Sequence, residues 1–138
     1  MKITYTDKTI TAVEYNELRN SVGWSVPSRA QSELALEHSL YINSAYLDQR
    51  IIGSGRLVGD GSLSFCIMDV MVHPDFQNSH GIGKQILRNI LRYLKVSADP
   101  QADIYCMATS GHERFYETMG FVARPNEKIG CRYGHVLR

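Results

Sequence analysis

One segment, residues 63–109, constrains the fold of this chain more than any other. It begins with the apolar run LSFCIMDVMV, which predicts a mostly buried strand, and Pro74 ends that run. A second apolar run, ADIYCMAT, predicts another buried strand, and between the two a helical period is set by Ile86, Leu87, Ile90, Leu91 and Leu94. A helix that connects two parallel neighbouring strands forms a right-handed βαβ unit, because the twist of the strands favours that hand.

Signals upstream of this segment predict two helices and three strands. Thr11 with Glu14 and Ser28 with Gln31 have capping-box spacing, at which two side chains satisfy the free amides of a helix start. The run KITYT predicts a first strand. LYINSAYLD and RIIGSGRLVGD predict two more, and the residues GDG after them form a turn signal before the long buried strand. Strands joined in this way form an antiparallel meander.

The order of these elements predicts a single domain, residues 1–138, of the α/β class. We expect a mixed sheet in which the antiparallel meander continues into the βαβ unit, with helices on both faces. Hydrophobic residues make up 43% of the chain, which is enough for a core. Near the C-terminus, FVARP and CRYGHVL predict a closing hairpin, and exposed strands there make a homodimer the expected assembly.

Charge and cysteine content exclude several classes of function. The net charge of +1 creates no broad field that would attract nucleic acid or an anionic membrane, and no apolar run is long enough to span a bilayer. The three cysteines lie far apart and the N-terminus lacks the features of a signal peptide, so we expect reduced, buried thiols and a cytoplasmic location. No histidine has companions at metal-ligand spacing, so no metal is expected.

The residues HGIGK lie where the chain passes from the first buried strand into the helix. A helix start exposes unpaired N–H groups and the positive end of the helix dipole, so it attracts anions, and glycines let the backbone approach a ligand closely. The segment is not a Walker A loop, because Asn78 and Gln85 stand where that loop needs Gly and Ser or Thr. Ile86 stands where a dinucleotide fingerprint needs its third glycine. Taken alone, the glycines fit a phosphate site or an ordinary tight turn.

Two motifs, taken together, resemble those of the GCN5-related N-acetyltransferase (GNAT) family. The first follows the family's acyl-CoA signature V-x-P-x-[YF]-Q-x-x-G-x-G with Val72, Pro74, Phe76, Gln77, Gly81 and Gly83. The second, F-Y-x-x-x-G-F, consists here of Phe115, Tyr116, Gly120 and Phe121. The element order over nearly the whole chain also fits the family's fold. The spacing from Pro74 to Gly81 is one residue longer than is usual in the family, so a bulge is expected within residues 78–80.

The resemblance implies that acetyl-CoA is the co-substrate. The pantetheine arm would pair with a strand that splays from its parallel neighbour, here at Val70, Met71 and Val72, and a backbone N–H near Val72 would stabilise the oxyanion formed in the reaction. The pyrophosphate would lie on the loop and helix start, at Gln77, Asn78, Ser79, His80, Gly81, Ile82, Gly83 and Lys84. Lys84 and Arg88 either add positive charge there or form a solvated helix face.

Two residues are candidates for catalysis. Tyr116 matches the motif tyrosine that in many family members donates a proton to the departing sulfur, and its alternative role is that of a core tyrosine. Asp69 is a lone carboxylate in an apolar strand, where burying an unpaired charge is costly, and its strand is similar to one that borders the acceptor site of glucosamine-phosphate N-acetyltransferases. Asp69 either takes the proton of the amine or binds the amine, or it is bonded to backbone or to an arginine such as Arg56. A chain of waters could carry the proton instead.

The acceptor pocket is expected between the N-terminal helices and the meander. Trp24 offers a flat wall for an organic substrate or else fills the core, and Arg56 could bind an acidic group on the acceptor. The resemblance implies transfer of an acetyl group to a primary amine of a small molecule, by direct attack in a ternary complex. Two alternatives are acetylation of protein or peptide amines, and a non-catalytic acyl-CoA-binding module on the same fold.

Overall fold

The computed structural model of the chain describes residues 2–109 and 111–128. The elements in chain order are β1 (Ile3–Thr6), α1 (Ala12–Ser21), α2 (Arg29–Glu37), β2 (Tyr41–Leu47), β3 (Arg50–Gly59), β4 (Ser64–Val72), a 3-10 turn (Pro74–Phe76), α3 (Ile82–Ser97), β5 (Asp103–Cys106) and α4 (Glu113–Glu117). They fall into two compact units, the first ending at Cys106 and the second beginning at Met107.

The strands of the first unit form one mixed sheet in the order β1-β2-β3-β4-β5. The pairs β1–β2, β2–β3 and β3–β4 are antiparallel, and β4–β5 is parallel. Because α3 connects the two parallel strands, the predicted meander and the βαβ unit that follows it are both confirmed.

The helices of the first unit begin in two different ways. Thr11 caps α1 with the predicted capping box, in which its hydroxyl accepts from the Glu14 amide and the Glu14 carboxylate accepts from the Thr11 amide, both at 3.1 Å. Ser28 caps α2 by accepting from the Gln31 amide at 3.2 Å. Helix α3 has no side-chain cap, and its N-cap is Gly81 in the left-handed conformation. The start of α3 therefore keeps its amides available.

Helices pack on both faces of the sheet, as predicted. On one face, α1 and α2 bury a cluster that includes Tyr15, Leu18 and Met71. On the other face α3 lies close to β3, because Gly55 has no side chain. A Cβ at Gly55 would lie 2.8 Å from Cγ2 of Ile86 and 2.9 Å from Cδ1 of Ile90. The glycine thus sets the distance of α3 from the sheet.

The second unit contains α4 and the turn that ends it. Gly120 has φ +94° and closes the helix, with its amide donating to the Glu117 carbonyl and the Phe121 amide donating to the Tyr116 carbonyl, both at 3.1 Å. This is the bond pattern of a Schellman turn, which requires a left-handed residue and so explains the glycine of the second motif.

Part of the predicted closing hairpin lies outside the described residues. Residues 121–125, the predicted first strand, form no regular element, and the predicted second strand begins at Cys131, beyond the described range. The hairpin therefore stays a prediction. None of the helices within residues 2–109 and 111–128 combines the length and the apolar character needed to cross a bilayer.

Candidate active site

The parallel strands β4 and β5 separate partway along the sheet. They pair from Ser64 opposite Asp103 to Ile67 opposite Cys106, and the register ends there. Strand β4 continues to pair with β3 as far as Val72. Beyond Ile67, the other edge of β4 consequently has no strand partner in the described part of the chain, and the sheet opens along residues 68–72.

A β-bulge in β4 lies at the start of this opening. The register runs from Arg56 opposite Met68 to Ser54 opposite Met71, so two residues of β4, Asp69 and Val70, face Gly55 alone. Asp69 has a positive φ of 55°. A bulge bends its strand and increases the local twist, which gives a physical reason for β4 to leave β5 at this point.

The backbone of Val72 faces the opening. The His73 amide donates to the Ile52 carbonyl on β3 at 2.8 Å, and because backbone groups alternate in direction along a strand, the N–H and C=O of Val72 point to the opposite edge. The Val72 carbonyl accepts from Nε2 of Gln77 at 2.8 Å. The side chain of Gln77 thus ties the loop to the strand and leaves the Val72 N–H directed into the opening.

The loop after β4 contains a run of left-handed residues. Asn78, His80 and Gly81 have φ of 59°, 60° and 59°. Asn78 and His80 lie in the stretch where the chain has one residue more than the family signature, so the expected bulge takes the form of left-handed turns. The Ser79 hydroxyl donates to the Phe76 carbonyl at 3.1 Å and lies 3.0 Å from Nδ1 of His80.

The amides of this loop form a cradle of donors. The first helical bond of α3 runs from the Gln85 amide to the Gly81 carbonyl at 3.0 Å, so the three amides before it, in residues 82–84, have no helical acceptor. Within the described residues, the amides of residues 78–81 also donate no backbone hydrogen bond. The side chain of Lys84 is exposed beside them and forms no ion pair with the described residues. Free amides, a helix dipole and a lysine fit a diphosphate group.

Asp69 is the centre of a cluster of polar side chains on the α1 face of the sheet. Its Oδ2 accepts from the Tyr15 hydroxyl at 2.6 Å and from Nε of Arg56 at 3.0 Å. Its Oδ1 lies 3.6 Å from Nη1 of Arg19, and its side chain is 10% exposed. Asp69 is therefore a carboxylate bonded to an arginine, which is one of the arrangements that the sequence left open.

Sequence reasoning missed two members of this cluster, Tyr15 and its neighbour on α1, Arg19. Its Nη1 donates to the Tyr15 hydroxyl at 3.1 Å, and its Nε donates to the Ser25 carbonyl at 2.6 Å. The guanidinium carbon lies 5.6 Å from the ring centroids of Tyr15 and of Trp24. A signal was present in the sequence, because Tyr15 and Arg19 are four residues apart on one helix and so share a face.

The two predicted acceptor-side residues are joined through this cluster. Arg56, besides its bond to Asp69, donates from Nη1 to the Ser39 hydroxyl at 3.3 Å. Trp24 is partly buried against the core cluster of α1 and α2, and one of its ring faces carries Arg19. Trp24 therefore both fills the core edge and supports the guanidinium of Arg19.

The hydroxyl of Tyr15 is held in its protonated form. Burial raises the pKa of Tyr15 first, and the hydrogen bond to the Asp69 carboxylate raises it further. At neutral pH the hydroxyl is accordingly a proton donor to Asp69, and the cluster contains two positive groups around one negative group.

Tyr116 lies in the second unit, on α4. Its ring makes edge contacts with Phe115, at 5.1 Å between centroids, and with Phe121, at 6.0 Å. The structure thus brings Asp69, Arg56 and Trp24 together with the opening of the sheet in the first unit, whereas Tyr116 belongs to the second.

The described residues contain no metal-ligating cluster, and the Cys106 thiol is a poor nucleophile. No group of three or more metal-ligating side chains occurs in that part of the chain. Burial, and then the neighbouring Cys66, raise the pKa of the Cys106 thiol to about 11, so this thiol is protonated at neutral pH and is a poor nucleophile. Cys131 lies outside the described residues.

The chain is similar to acetyltransferases in sequence and in structure. The Acetyltransferase (GNAT) domain profile matches residues 37–123. The uncharacterized N-acetyltransferase ycf52 of Porphyra purpurea is 30% identical over 86% of this chain and 69% of its own length. A protein of unknown function from meticillin-resistant Staphylococcus aureus, described as a probable acetyltransferase, superposes with a TM-score of 0.86 at 26% identity, over 97% of this chain and 100% of that one. A GNAT family acetyltransferase from Streptococcus pneumoniae gives 0.81 at 28% identity, over 99% and 98%.

Proposed function

The chain belongs to the GNAT family of N-acetyltransferases, and from this premise we propose that it transfers the acetyl group of acetyl-CoA to a primary amine of a small molecule. The proposed reaction is a direct attack in a ternary complex. The observation that carries the proposal is the opening between β4 and β5, which lies next to a loop of free amides. The domain is proposed to comprise residues 1–138, and the homodimer and the cytoplasmic location stay predictions.

Acetyl-CoA would supply an activated thioester, and the residues of β4 and its loop would hold it. The open backbone edge at Val70, Met71 and Val72 can pair with the amides of a pantetheine arm. The diphosphate would bind at residues 77–84, where the amides of residues 78–84 donate no backbone hydrogen bond within the described residues and no side chain caps the helix. The Val72 N–H is the donor that we place at the thioester oxygen.

The amine side of the reaction is proposed at the cluster around Asp69. Because Oδ2 of Asp69 already accepts two hydrogen bonds, we favour a positioning role in which Asp69 holds Arg19 and Arg56, with solvent taking the proton of the amine. Direct proton transfer to Asp69 would have to use Oδ1, which faces Nη1 of Arg19 at 3.6 Å. The Asp69→Asn variant separates the roles, since loss of a base changes the pH profile of kcat whereas loss of a positioning carboxylate chiefly raises KM for the amine.

Tyr116 is proposed as the donor of a proton to the departing thiolate, on the strength of the second motif. Its neutral hydroxyl can donate a proton, whereas the phenylalanine ring of a Tyr116→Phe variant cannot. We expect this variant to bind acetyl-CoA with little change in affinity and to turn over about 100-fold or more slowly, within the usual range for loss of a general acid. Equal turnover by the parent and the variant would remove Tyr116 from the mechanism.

The proposal is tested by release of CoA thiol against a panel of amines. The panel contains amino acids, polyamines, amino sugars, arylalkylamines and short peptides, and acetyl-CoA binding is measured separately by calorimetry. An N-acetyltransferase of small molecules releases thiol with at least one small amine. Thiol release with peptides alone would instead support a protein acetyltransferase. Acetyl-CoA binding without amine-dependent release would support the non-catalytic module, and the absence of acetyl-CoA binding would refute the proposal altogether.

A further inference from the structure

The charges around Asp69 indicate what kind of amine the site accepts. We propose that the acceptor carries an anionic group, a carboxylate or a phosphate, and that Arg56 binds this group while the charge of Arg19 beside it adds to the attraction. This inference rests on the proposed function, because it names the class of acceptor for that reaction.

The cluster has more positive than negative charge. Two guanidinium groups, with side chains 17% and 15% exposed, lie against the single carboxylate of Asp69, which leaves one positive charge uncompensated. Glu14, an acidic residue on α1, is engaged elsewhere, because its carboxylate accepts from the Tyr46 hydroxyl at 2.6 Å and from the Thr11 amide. Positive charge with little access to water is costly unless an anion pairs with it.

Arg56 has donors left over for such an anion. Its Nε and Nη1 are used by Asp69 and Ser39, whereas its Nη2 makes no hydrogen bond within residues 2–109 and 111–128. No side-chain nitrogen or oxygen in that part of the chain is both buried and without a partner, so Nη2 must reach solvent. The guanidinium group, whose orientation Asp69 holds, therefore presents a free Nη2, which can donate a charge-assisted hydrogen bond to an oxygen of a carboxylate or phosphate.

The cluster is also within reach of the opening in the sheet. Asp69 is followed directly by residues 70–72, whose backbone edge borders the opening, and three strand residues span about 10 Å. An acceptor bound by its anion at Arg56 can extend its amine toward that edge. A polyamine, by contrast, would place further positive charge against two guanidinium groups, and we expect such amines to be poor acceptors.

Matched pairs of amines, assayed by thiol release at saturating acetyl-CoA, test the inference. One pair is γ-aminobutyrate and γ-aminobutyramide, and the other is aminoethyl phosphate and ethanolamine. For each pair the measured quantity is the ratio of kcat/KM for the anionic member to kcat/KM for the neutral one. The pair with the larger ratio identifies the anion as carboxylate or phosphate.

Arginine variants show whether the ratio comes from this cluster. Comparing parent and variant cancels the intrinsic reactivity of each amine. We expect Arg19→Gln and Arg56→Gln each to lower the ratio by about tenfold or more, since hydrogen bonds to charged groups are the strong ones. Arg92→Gln, an exposed arginine on α3 outside the cluster, is the control and should leave the ratio unchanged.

The outcomes distinguish this inference from the proposed function. Thiol release that does not favour the anionic members, with ratios unaltered by the cluster variants, would overturn the inference while the acetyltransferase function stands. Absence of acetyl-CoA binding, or binding without thiol release from any amine, would overturn the proposed function first. If the Gln variants do not fold, the parent alone decides the question, because a kcat/KM for the anionic members that does not exceed that of the neutral members would equally refute the inference.

Discussion

Replacing Gly55 by alanine tests the close approach of α3 to the sheet. The position of residues 77–84, the proposed phosphate loop, depends on this approach. The new Cβ would lie 2.8 Å from Cγ2 of Ile86 and 2.9 Å from Cδ1 of Ile90, whereas ordinary contact begins at 3.4 Å. The methyl groups or the whole helix must therefore shift by about 0.6 Å, the difference between the ordinary and the shortest distance. The strain falls on the helix whose first turn supplies the free amides.

The expected loss of stability follows from two opposing effects. Overpacking of a core costs about 1–3 kcal/mol, and replacing glycine in a strand recovers about 0.5–1 kcal/mol of backbone entropy. We expect a net loss of about 1–2 kcal/mol, which lowers Tm by roughly 3–8 °C for a domain of this size. Because α3 begins in the phosphate loop, calorimetry should also show weaker acetyl-CoA binding.

A second substitution makes this prediction sharper. Ile90→Val removes the Cδ1 methyl group that lies 2.9 Å from the new Cβ. Alone it should cost about 0.5–1.5 kcal/mol, but together with Gly55→Ala it should cost less than the sum, by about 0.5 kcal/mol or more. If Gly55→Ala melts at or above the temperature of the parent, and the two substitutions are additive, then the close packing of α3 on β3 is wrong.

Three further predictions concern the loop, the alkaline stability and the thiols. Gln77→Ala removes the hydrogen bond to the Val72 carbonyl and should weaken acetyl-CoA binding by up to about tenfold. Tm should stay nearly constant, since the side chain is exposed. Unchanged binding in calorimetry would contradict the role of this hydrogen bond in holding the loop. Burial, and then the Glu14 carboxylate, raise the pKa of Tyr46, so the native state keeps the phenolic proton at a pH where the unfolded chain loses it. The free energy of unfolding should therefore fall as the pH rises above about 10. In denaturant titrations, Tyr46→Phe should make this fall less steep. The pKa of Cys106 is raised to about 11, so alkylation of this thiol in the native protein should be slow at pH 8 and should accelerate up to about pH 11. Mass spectrometry measures the rate of alkylation. Rapid labelling at pH 8 would show that the thiol is not shielded as the structure indicates.

Local signals predicted the helix starts and the sheet order well. Thr11 and Ser28 cap α1 and α2 at the predicted positions, because a cap involves residues only three positions apart. Both bonds of the capping box form at α1, whereas only the bond to the Ser28 hydroxyl forms at α2. The apolar period of α3 and the two apolar strands around it predicted the βαβ unit, since burial imposes a regular pattern on each element. The family signature then located the loop between them.

The surroundings of Asp69 could not be predicted in the same way. Tyr15 and Arg56, which donate to its carboxylate, are 54 and 13 positions away along the chain. Their meeting depends on the register between β3 and β4, including the bulge at Asp69, and on the angle at which α1 crosses the sheet. Sequence reasoning named Arg56 as one candidate partner. The spacing of Tyr15 and Arg19 placed these two on one helix face, but nothing in the local pattern placed either of them beside Asp69.

The sequence by itself determined the class of fold, because that depends on short-range periodicity and capping, and its two motifs identified the family. The binding of a diphosphate at residues 77–84 stays a prediction. Only the tertiary structure decided that β4 separates from β5 after Ile67 and that two arginines and a tyrosine surround Asp69. Strand register and helix packing are collective results of burying the core, and they bring together side chains whose proximity leaves no mark on the local pattern.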